Sequence, residues 1–382
     1  MTDDLSEFRV PALAKALDQL GQLLSQSNVA FLIGAGCSKC AGLPLMAELT
    51  EEVRKSNRLG DRTRSILGAA VKAFDGAKAA NIEDFLSEIV DALAIADRRG
   101  TLGATKAEVD LDGITCKAED LRTAIGEIKD AIATRIGEPG GTDISTHERF
   151  VRTVQGTLRS GKIPRPSPVD YFVLNYDTLI EDAMGLAHIP FVDGFVGGVT
   201  GWWNLKSYED VSAEARILKP HGSVDWFSKG TDARPQRLRP GLFLGPKPLH
   251  HVMIWPASTK YRETQNDPYA QILDSMRRKL RPEGNQELVL VIMGYSFGDS
   301  HINHEIAEAL HASGRSLTVV AFVSGNEPEG IVSEWRDDES IRDQVRVHAK
   351  RGFFHGDTVI RTEIDLPWWR FEVLTRLLGG DR

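Results

Sequence analysis

The sequence predicts an α/β fold built on a parallel sheet, and three observations support this prediction. The apolar runs at 29–33 and 288–293 do not alternate with polar residues, which is typical of strands buried on both faces. Segments with apolar residues three or four apart lie between such runs and predict helices. Small and polar residues, many of them glycine, follow the strands directly. Strand–helix alternation of this kind is typical of a Rossmann-like sheet.

The first half of the chain predicts one helix, one strand and then a long helical block. After Pro44, helices are predicted for about a hundred residues. Residues 100–116 have mixed polarity and predict a loop or irregular insertion, and 137–143 have turn chemistry. We expect a single domain, residues 1–382, with a helical insertion or subdomain at about 46–165. The apolar faces of the predicted helices are Leu13, Leu17, Leu20 and Leu24; Ile82, Phe85, Ile89 and Leu93; and Leu121, Ile125, Ile128 and Ile132.

The second half of the chain alternates strands and helices. Residues 171–174 predict a strand, and a helix is predicted from about Thr178. Residues 189–243 are rich in glycine and aromatic residues and predict an irregular stretch with short strands near Ile217 and Trp226. The remaining predicted elements are strands at 252–255, 288–293 and 317–323, helices at 268–280 and 301–311, and a final helix with Trp369, Leu374 and Leu377.

Composition argues against several classes of function. The 382 residues are 41% hydrophobic and 26% charged, which is ordinary for a globular protein with a sizeable core. The net charge of −8 does not favour nucleic acid as the main ligand, although a basic patch around 277–281 stays open. The acidic N-terminus is unlike a signal peptide, and no apolar run approaches the ~20 residues of a membrane span. We therefore expect a cytoplasmic protein without a membrane partner.

The three cysteines, Cys37, Cys40 and Cys116, are too few for a disulfide framework and indicate a reducing compartment. Cys37 and Cys40 have the spacing of half a zinc site, but the sequence has no second pair to complete a tetrahedron. We interpret them as two small residues beside a turn, and no metal site is predicted.

A glycine-rich loop, Gly34-Ala35-Gly36, ends the first predicted strand. It lacks the third glycine of the dinucleotide fingerprint, because Lys39 stands there, and it lacks the Gly-Lys-Ser/Thr of a P-loop. Two interpretations stay open: a loop whose backbone approaches a phosphate, or a tight strand–helix turn without a ligand.

Two further strand ends contain polar residues. Asn175-x-Asp177 follows an apolar strand, where the ligand crevice of an open α/β sheet lies, but Asp177 would also cap the next helix. The segment GYSFGD ends the most apolar strand of the chain. Its Gly294 permits close approach, Ser296 can donate to a phosphate or ribose, and Asp299 suits a ribose hydroxyl or a helix cap.

His221 differs from the other histidines because Pro220 and Gly222 hold it on a constrained turn. An imidazole titrates near neutral pH, which suits a general base. The alternative is a structural or solvated histidine, which is the commoner case for a single histidine.

The order and context of these segments resemble the sirtuin superfamily, in particular the bacterial sirtuin-like proteins of antiphage defence. GAGCSKCAGLP is similar to the sirtuin loop GAG-x-S-x-x-(S/A)-G-(I/L)-P. LNYD resembles the Gln-Asn-x-Asp motif, KPHGS the catalytic His-Gly-Ser turn, and GYSFGD the Gly-Thr-Ser motif in its bacterial form. The resemblance covers roughly residues 25–325, in the family's order.

The resemblance implies an NAD site and a catalytic pair. Asn175 and His221 correspond to the pair, and Asp177 would help to orient the nicotinamide ribose region. The other positions implied to bind NAD are Gly34, Ala35, Gly36, Ser38, Pro44, Gly294, Ser296 and Asp299.

The chain also departs from the family pattern. Leu174 stands where the second motif has Gln, and the four-cysteine zinc ribbon of protein deacylases is absent. In that family the zinc module helps to form the acyl-peptide cleft, so its absence argues against lysine deacylation. Water is then the expected acceptor, and the resemblance implies an NAD glycohydrolase that releases nicotinamide and ADP-ribose.

The expected activity requires regulation, because free NAD hydrolysis would kill the host cell. Stand-alone relatives of this size resemble the sirtuin subunit that pairs with a HerA-type ATPase, so the family implies a homo-oligomer and such a partner. The helical block is the candidate contact. A non-catalytic sensor of NAD or ADP-ribose and an NAD-dependent lysine deacylase are the alternatives.

Overall fold

A computed structural model of the protein describes residues 5–77, 80–137, 140–159, 167–229, 232–238, 249–253, 268–282, 284 and 286–381. Within these residues the chain forms two larger sheets, one two-stranded hairpin, and helices that cover the main sheet on both faces. None of the described helices combines the length and the apolar character that crossing a membrane would require.

Within the described residues the main sheet has nine strands. Seven of them lie side by side and are parallel, and two more are joined to one edge of the sheet by antiparallel pairing. The predicted α/β fold with a parallel sheet core is confirmed, and the antiparallel edge is an addition to it. In spatial order the strands are β16 (Thr358–Arg361), β15 (Gly352–His355), β14 (Val345–Ala349), β13 (Leu317–Val323), β12 (Leu288–Met293), β1 (Asn28–Ile33), β4 (Val169–Val173), β8 (Ala215–Leu218) and β5 (Phe191–Val192).

Four neighbouring strands of this sheet lead into the predicted motifs. β12, β1, β4 and β8 lie side by side, so their carboxyl ends meet at one edge of the sheet. In register, Phe31 of β1 lies opposite Val291 of β12 and Tyr171 of β4. The chain adds β4 and β8 on one side of β1, and later adds β12 and β13 on the other side. The direction in which strands are added therefore reverses at β1. Open α/β sheets bind ligands at such a reversal, outside the carboxyl ends of the strands.

Side chains of the central strand alternate between two apolar cores. Phe31 and Ile33 face one core, and Ala30 and Leu32 face the other. Because both faces are covered, apolar residues run through the strand without alternation. The first core is covered by α1 (Pro11–Gln26), α6 (Ser145–Gln155), α7 (Leu179–Leu186) and α11 (Phe371–Leu378), and the second by α8 (Tyr269–Lys279), α9 (Ser300–Ala312) and α10 (Ile331–Asp337).

A helical unit between β1 and β4 has an apolar core of its own, in which Ile66, Leu86 and Ile128 are fully buried. We define it as residues 46–137; the next helix, α6, packs on the main sheet. Its elements are α2 (Met46–Arg54), α3 (Asp61–Ala73), α4 (Ile82–Thr101), β2 (Val109–Leu111), β3 (Ile114–Cys116) and α5 (Ala118–Gly137).

The hairpin β2–β3 lies where the sequence predicts a loop or irregular insertion at 100–116. Asp112 and Gly113 connect its strands, with φ of +45° and +82°. Positive φ at both positions is what a two-residue hairpin turn requires, and Asp-Gly is its strongest sequence signal. The dipeptide therefore explains the difference between the prediction and the structure.

A second, antiparallel sheet lies in the stretch for which the sequence predicts irregular structure. The strands predicted near Ile217 and Trp226 are confirmed, the first as β8 of the main sheet. The strand predicted at 252–255 is described only as far as Met253, and 254–255 lie outside the described residues. In spatial order the described strands of this sheet are β11 (Leu249–Met253), β9 (Gly222–Lys229), β10 (Asp232–Arg237), β7 (Gly201–Trp203) and β6 (Phe195–Val196).

Candidate active site

The loops after β1 and β12 are in direct backbone contact; we call 34–38 the β1 loop and 294–299 the β12 loop. Gly34 N donates to Met293 O over 3.0 Å, and Gly36 N donates to Gly294 O over 2.8 Å. A Cβ atom at Gly34 would lie 2.4 Å from Gly294 O, and one at Gly36 would lie 2.8 Å from Gly294 Cα. Gly294 has a φ of +61°, and a Cβ there would lie 2.5 Å from Cys37 N. Glycine is required at all three positions because two backbones pack against each other.

Replacing Gly34 with alanine should lower the free energy of unfolding by about 1–3 kcal/mol, because the new Cβ meets a backbone carbonyl rather than a flexible side chain. Urea unfolding followed by circular dichroism measures the change. Gly21→Ala is the matched control: it lies inside α1 with nothing within 4 Å of an added Cβ, and should gain about 0.5–1 kcal/mol. Equal stability of the two variants would contradict the packing described here.

Asn175, Ser38 and Asp177 form a buried chain of hydrogen bonds between the β1 loop and the turn after β4. Asn175 Nδ2 donates to Ser38 Oγ over 2.8 Å and to Gly34 O over 3.1 Å. Ser38 Oγ donates to Asp177 Oδ2 over 2.7 Å, and Asp177 Oδ1 accepts from Leu179 N over 3.1 Å. Asp177 thus holds the serine and also accepts the N–H of Leu179, the first residue of α7, although the N-cap position itself is Thr178.

This network determines which atom of Asn175 is left for a ligand. A backbone carbonyl can only accept a hydrogen bond, so the atom that faces Gly34 O must be Nδ2. The other amide atom, Asn175 Oδ1, is buried and has no hydrogen-bond partner among the described residues. Leaving a buried acceptor unsatisfied costs about 1–3 kcal/mol. A ligand hydroxyl or a bound water would remove that cost.

Lys219 ties the turn after β8, residues 219–223, to the turn after β4, residues 174–178; we call them the β8 turn and the β4 turn. The lysine side chain is 1% exposed, and its Nζ forms a salt bridge of 3.2 Å with Glu181 Oε1 on α7. Nζ also donates to Asp177 O and, over 2.9 Å, to Ser223 Oγ. Ser223 Oγ in turn donates to Tyr176 O over 3.2 Å. These bonds fix the position of the β8 turn relative to the β4 turn.

Glu181 gives the stability of the fold a pH dependence. Burial raises the pKa of its carboxyl from 4.5 to about 7 despite the nearby Lys219, and Oε2 has no hydrogen-bond partner among the described residues. The folded state therefore keeps this proton up to about pH 7, whereas the unfolded state releases it near pH 4.5. By linkage, the free energy of unfolding should fall by about 3 kcal/mol as pH rises through that window. Glu181→Gln should reduce this slope in urea titrations, and an unreduced slope would contradict the assignment.

His221 lies against a second histidine. It is 4% exposed in the β8 turn, and its Nε2 lies 3.3 Å from Nε2 of His301, near the start of α9. Asp299 occupies the N-cap position of α9, but its side chain forms no capping hydrogen bond. The prediction that the Asp299 carboxylate caps this helix is therefore wrong. The carboxylate belongs instead to a cluster with the two histidines, in which one ligand atom from each residue lies within 4.8 Å of the others.

The structure brings the predicted site residues into two groups. Ala35 and Ser296 are exposed on their loops and Pro44 is half-buried ahead of α2, and their roles toward a ligand stay predictions. The first group, joined by hydrogen bonds or backbone contact, is Gly34, Gly36, Ser38, Asn175, Asp177 and Gly294, and the second is His221 and Asp299.

Cys37 and Cys40 pack within and beside the β1 loop. Burial raises the pKa of the Cys37 thiol well above its usual range and that of Cys40 to about 11. Cys40 Sγ donates to Cys37 O over 3.3 Å. Both groups are therefore neutral thiols at pH 7 in the metal-free protein, which argues against a role as nucleophiles, because nucleophilic attack requires the thiolate.

Three residues of the site were missed by the sequence reasoning. Lys219 directly follows an apolar strand, and a charge that continues a buried strand needs a buried partner. His301 follows Asp299 by two residues, a spacing that offers two ligand atoms from one turn. Tyr176 separates the two polar residues of its motif and points away from them: its hydroxyl donates to Glu83 Oε1 over 3.3 Å, in the core of the helical unit.

A cavity of about 180 Å³ lies at the other end of the main sheet. Asn28, Asp170 and Leu288, at the amino ends of β1, β4 and β12, contribute to its lining. Ligand crevices of parallel sheets lie at the carboxyl ends, so this cavity is not part of the candidate site.

Comparison with known proteins bears on the second half of the chain. Residues 170–344 match the SIR2-like domain. The SIR2-like segment is less than half of the chain; it contains Asn175, His221 and the β12 loop, whereas the β1 loop precedes it. No curated protein sequence matches the chain significantly.

Solved structures of Sir2 homologues are also similar to the chain. One is a crystal structure of a Sir2 homologue in complex with NAD, with a TM-score of 0.39 and 11% identity over 82% of each chain. Another is a mutant Sir2 homologue in complex with ADP-ribose, with a TM-score of 0.44 and 10% identity over 96% of each chain.

Proposed function

We propose that the protein binds NAD at the carboxyl ends of β12, β1, β4 and β8 and hydrolyses it to nicotinamide and ADP-ribose. The observation that supports this most directly is the oriented amide of Asn175, whose Nδ2 is held by two acceptors while Oδ1 is buried without a partner among the described residues. The match of 170–344 to the SIR2-like domain, together with the motif resemblance of the β1 loop, supports NAD as the substrate.

Hydrolysis of NAD breaks the bond between ribose C1′ and the nicotinamide nitrogen. Nicotinamide leaves as a neutral molecule, positive charge develops on the ribose, and a water adds to C1′ and releases one proton. The protein therefore has to hold the ribose, orient the water and accept the proton. In our proposal Asn175 Oδ1 accepts a hydrogen bond from the water or a ribose hydroxyl, and the imidazole of His221 accepts the proton.

The burial of the two groups suits this chemistry. Asn175 is 7% exposed and His221 is 4% exposed, so bulk water has little access to either side chain. A shielded site strengthens electrostatic interactions with a developing cationic sugar and limits side reactions. The exposed Ala35 and Ser296, on adjacent loops, mark the side from which we propose that the dinucleotide approaches.

The proposal is tested by incubating the purified protein with NAD and quantifying the products by chromatography. We expect nicotinamide and ADP-ribose in equal amounts, and loss of both with Asn175→Ala. Asn28→Ala is the matched control, because Asn28 is an exposed asparagine at the opposite end of β1. NAD binding without turnover in every assembly state would favour a sensor, and turnover that requires an acylated peptide would favour a deacylase.

We also propose that the activity is regulated by self-assembly or by a HerA-type ATPase partner, in the antiphage role that the resemblance implies. Unregulated hydrolysis would consume the cell's own NAD, and the helical unit, with a core separate from the main sheet, is the proposed contact surface. Size-exclusion chromatography of the protein with and without the ATPase, followed by the same NAD assay on each fraction, tests this. Equal activity in all fractions would contradict regulation by assembly.

A further inference from the structure

We propose that His221, Asp299 and His301 form a binding site for a divalent transition-metal ion of the zinc class, and that the bound ion inhibits the reaction. The site itself stands on the geometry of the three side chains. The inhibition rests on the proposed function, because it requires His221 to act as the base.

The spacing of the two imidazoles fits one metal ion. Zinc–nitrogen bonds are about 2.0–2.1 Å, so two nitrogens on one tetrahedral zinc lie about 3.3–3.4 Å apart. The Nε2 atoms of His221 and His301 lie 3.3 Å apart. That distance is longer than the usual range of about 2.7–3.2 Å for hydrogen bonds donated by N–H groups. The ring planes meet at 46° with centroids 5.4 Å apart, so the rings converge through their Nε2 atoms rather than by stacking.

Asp299 supplies the third ligand. Its carboxylate forms no helix cap, and one of its oxygens lies within 4.8 Å of a ring nitrogen of each histidine, close enough for a change of side-chain rotamer to complete the set. Two histidines and one carboxylate are a donor set that binds zinc and related ions and leaves a coordination position open.

The backbone that presents Asp299 is anchored. The Asp299 N–H donates to the hydroxyl of Tyr295 over 3.1 Å, and that hydroxyl donates to Asn303 Oδ1 over 3.0 Å. Asn303 Nδ2 donates in turn to Phe297 O over 2.8 Å. Fixed supporting bonds of this kind orient metal ligands before the ion arrives. Asp299 and His301 are also half-buried rather than enclosed, so an ion can reach them from solvent.

Metal binding and base catalysis compete for one pair of electrons. A bound ion takes the lone pair of His221 Nε2, and an imidazole nitrogen that coordinates a metal cannot accept a proton. A free-metal concentration above the dissociation constant would therefore keep the enzyme silent, and a chelator would restore it. In our proposal the bound ion inhibits NAD hydrolysis, an activity that is harmful when uncontrolled.

The binding test uses tag-free full-length protein, stripped with EDTA and desalted, and titrated with Co²⁺ while the visible d–d absorption is recorded. We expect one equivalent to bind, and at least tenfold weaker binding for His301→Gln and for Asp299→Asn. His304→Gln is the matched control, because His304 is exposed on the same helix, and it should bind as the wild type does. Wild-type affinity in both ligand variants, or a thiolate charge-transfer band from the cysteines, would overturn the site.

The inhibition test adds Zn²⁺ to the NAD assay. Nicotinamide release by the wild type should fall as the site fills and return with EDTA, and His301→Gln should require at least tenfold more Zn²⁺ for the same fractional loss. Site-dependent Co²⁺ binding in a protein that never cleaves NAD would leave the metal site standing and overturn the proposed function. NAD cleavage that Zn²⁺ does not affect would overturn the inhibition.

Discussion

Replacing His221 with alanine is expected to slow nicotinamide release from NAD by about 10²–10⁴-fold, the usual contribution of a positioned general base. The imidazole accepts the proton of the attacking water in the proposed reaction, and a methyl group cannot. Lys219 and Ser223 still hold the β8 turn when the imidazole is removed, so we expect the variant to fold. Single-turnover nicotinamide release, measured beside NAD affinity, should show a lower rate constant rather than weaker binding.

His304→Ala is the control for this experiment, because it removes an exposed histidine from α9. It should retain the wild-type rate. An undiminished rate in His221→Ala would mean that another group accepts the proton, and the assignment of the base would be wrong.

Replacing Lys219 with methionine is expected to lower the free energy of unfolding by about 3–5 kcal/mol, the range for removing one partner of a buried ion pair. The variant leaves the buried carboxyl of Glu181 without its cation, and the carbonyl of Asp177 without its donor. The midpoint and slope of urea unfolding at about pH 9 measure the loss, because the pKa of Glu181 is about 7 and the folded wild type holds the ionised pair above it. Lys39→Met is the control: Lys39 pairs with Glu48 where the side chains are 48% and 52% exposed, and its loss should change stability little.

A second variant separates the buried pair from general damage to the turn. Adding Glu181→Leu to Lys219→Met replaces both charges by apolar groups, so no buried carboxyl lacks a partner. The double variant should recover a large part of the lost stability, because well-packed apolar groups often substitute for a buried ion pair at little cost. A double variant no more stable than Lys219→Met would show that the backbone carbonyls, and not Glu181, account for the effect.

The central strands could be predicted from the sequence because their environment is uniform. β1 and β12 are covered on both faces, so each is a continuous apolar run that a single pattern identifies. β10, whose sequence is DARPQR, offers no apolar pattern at all, and β16 is exposed along most of its length. Strands of this kind form because adjacent strands of the sheet pair with them. The local sequence pattern does not reveal which strands those are.

The candidate site divides in the same way. The glycine loops and the polar strand ends could be predicted because each consists of consecutive residues that form a recognisable local pattern. The bonds that make them one site join distant segments, such as Ser38 to Asp177 and Lys219 to Glu181. The prediction that Trp369 belongs to the final helix was wrong, because Trp369 ends a separate 3-10 helix, Pro367–Trp369, and α11 begins at Phe371.

Tyr176 belongs to two parts of the molecule at once. Its carbonyl lies in the β4 turn, bound by Ser223, while its ring lies in the core of the helical unit with its hydroxyl on Glu83. The residues on either side of it, Asn175 and Asp177, are the polar groups of the candidate site. The helical unit and the Asn175 amide are therefore mechanically coupled through one side chain. A displacement of the helical unit would therefore shift the backbone on either side of Tyr176, and with it the Asn175 amide.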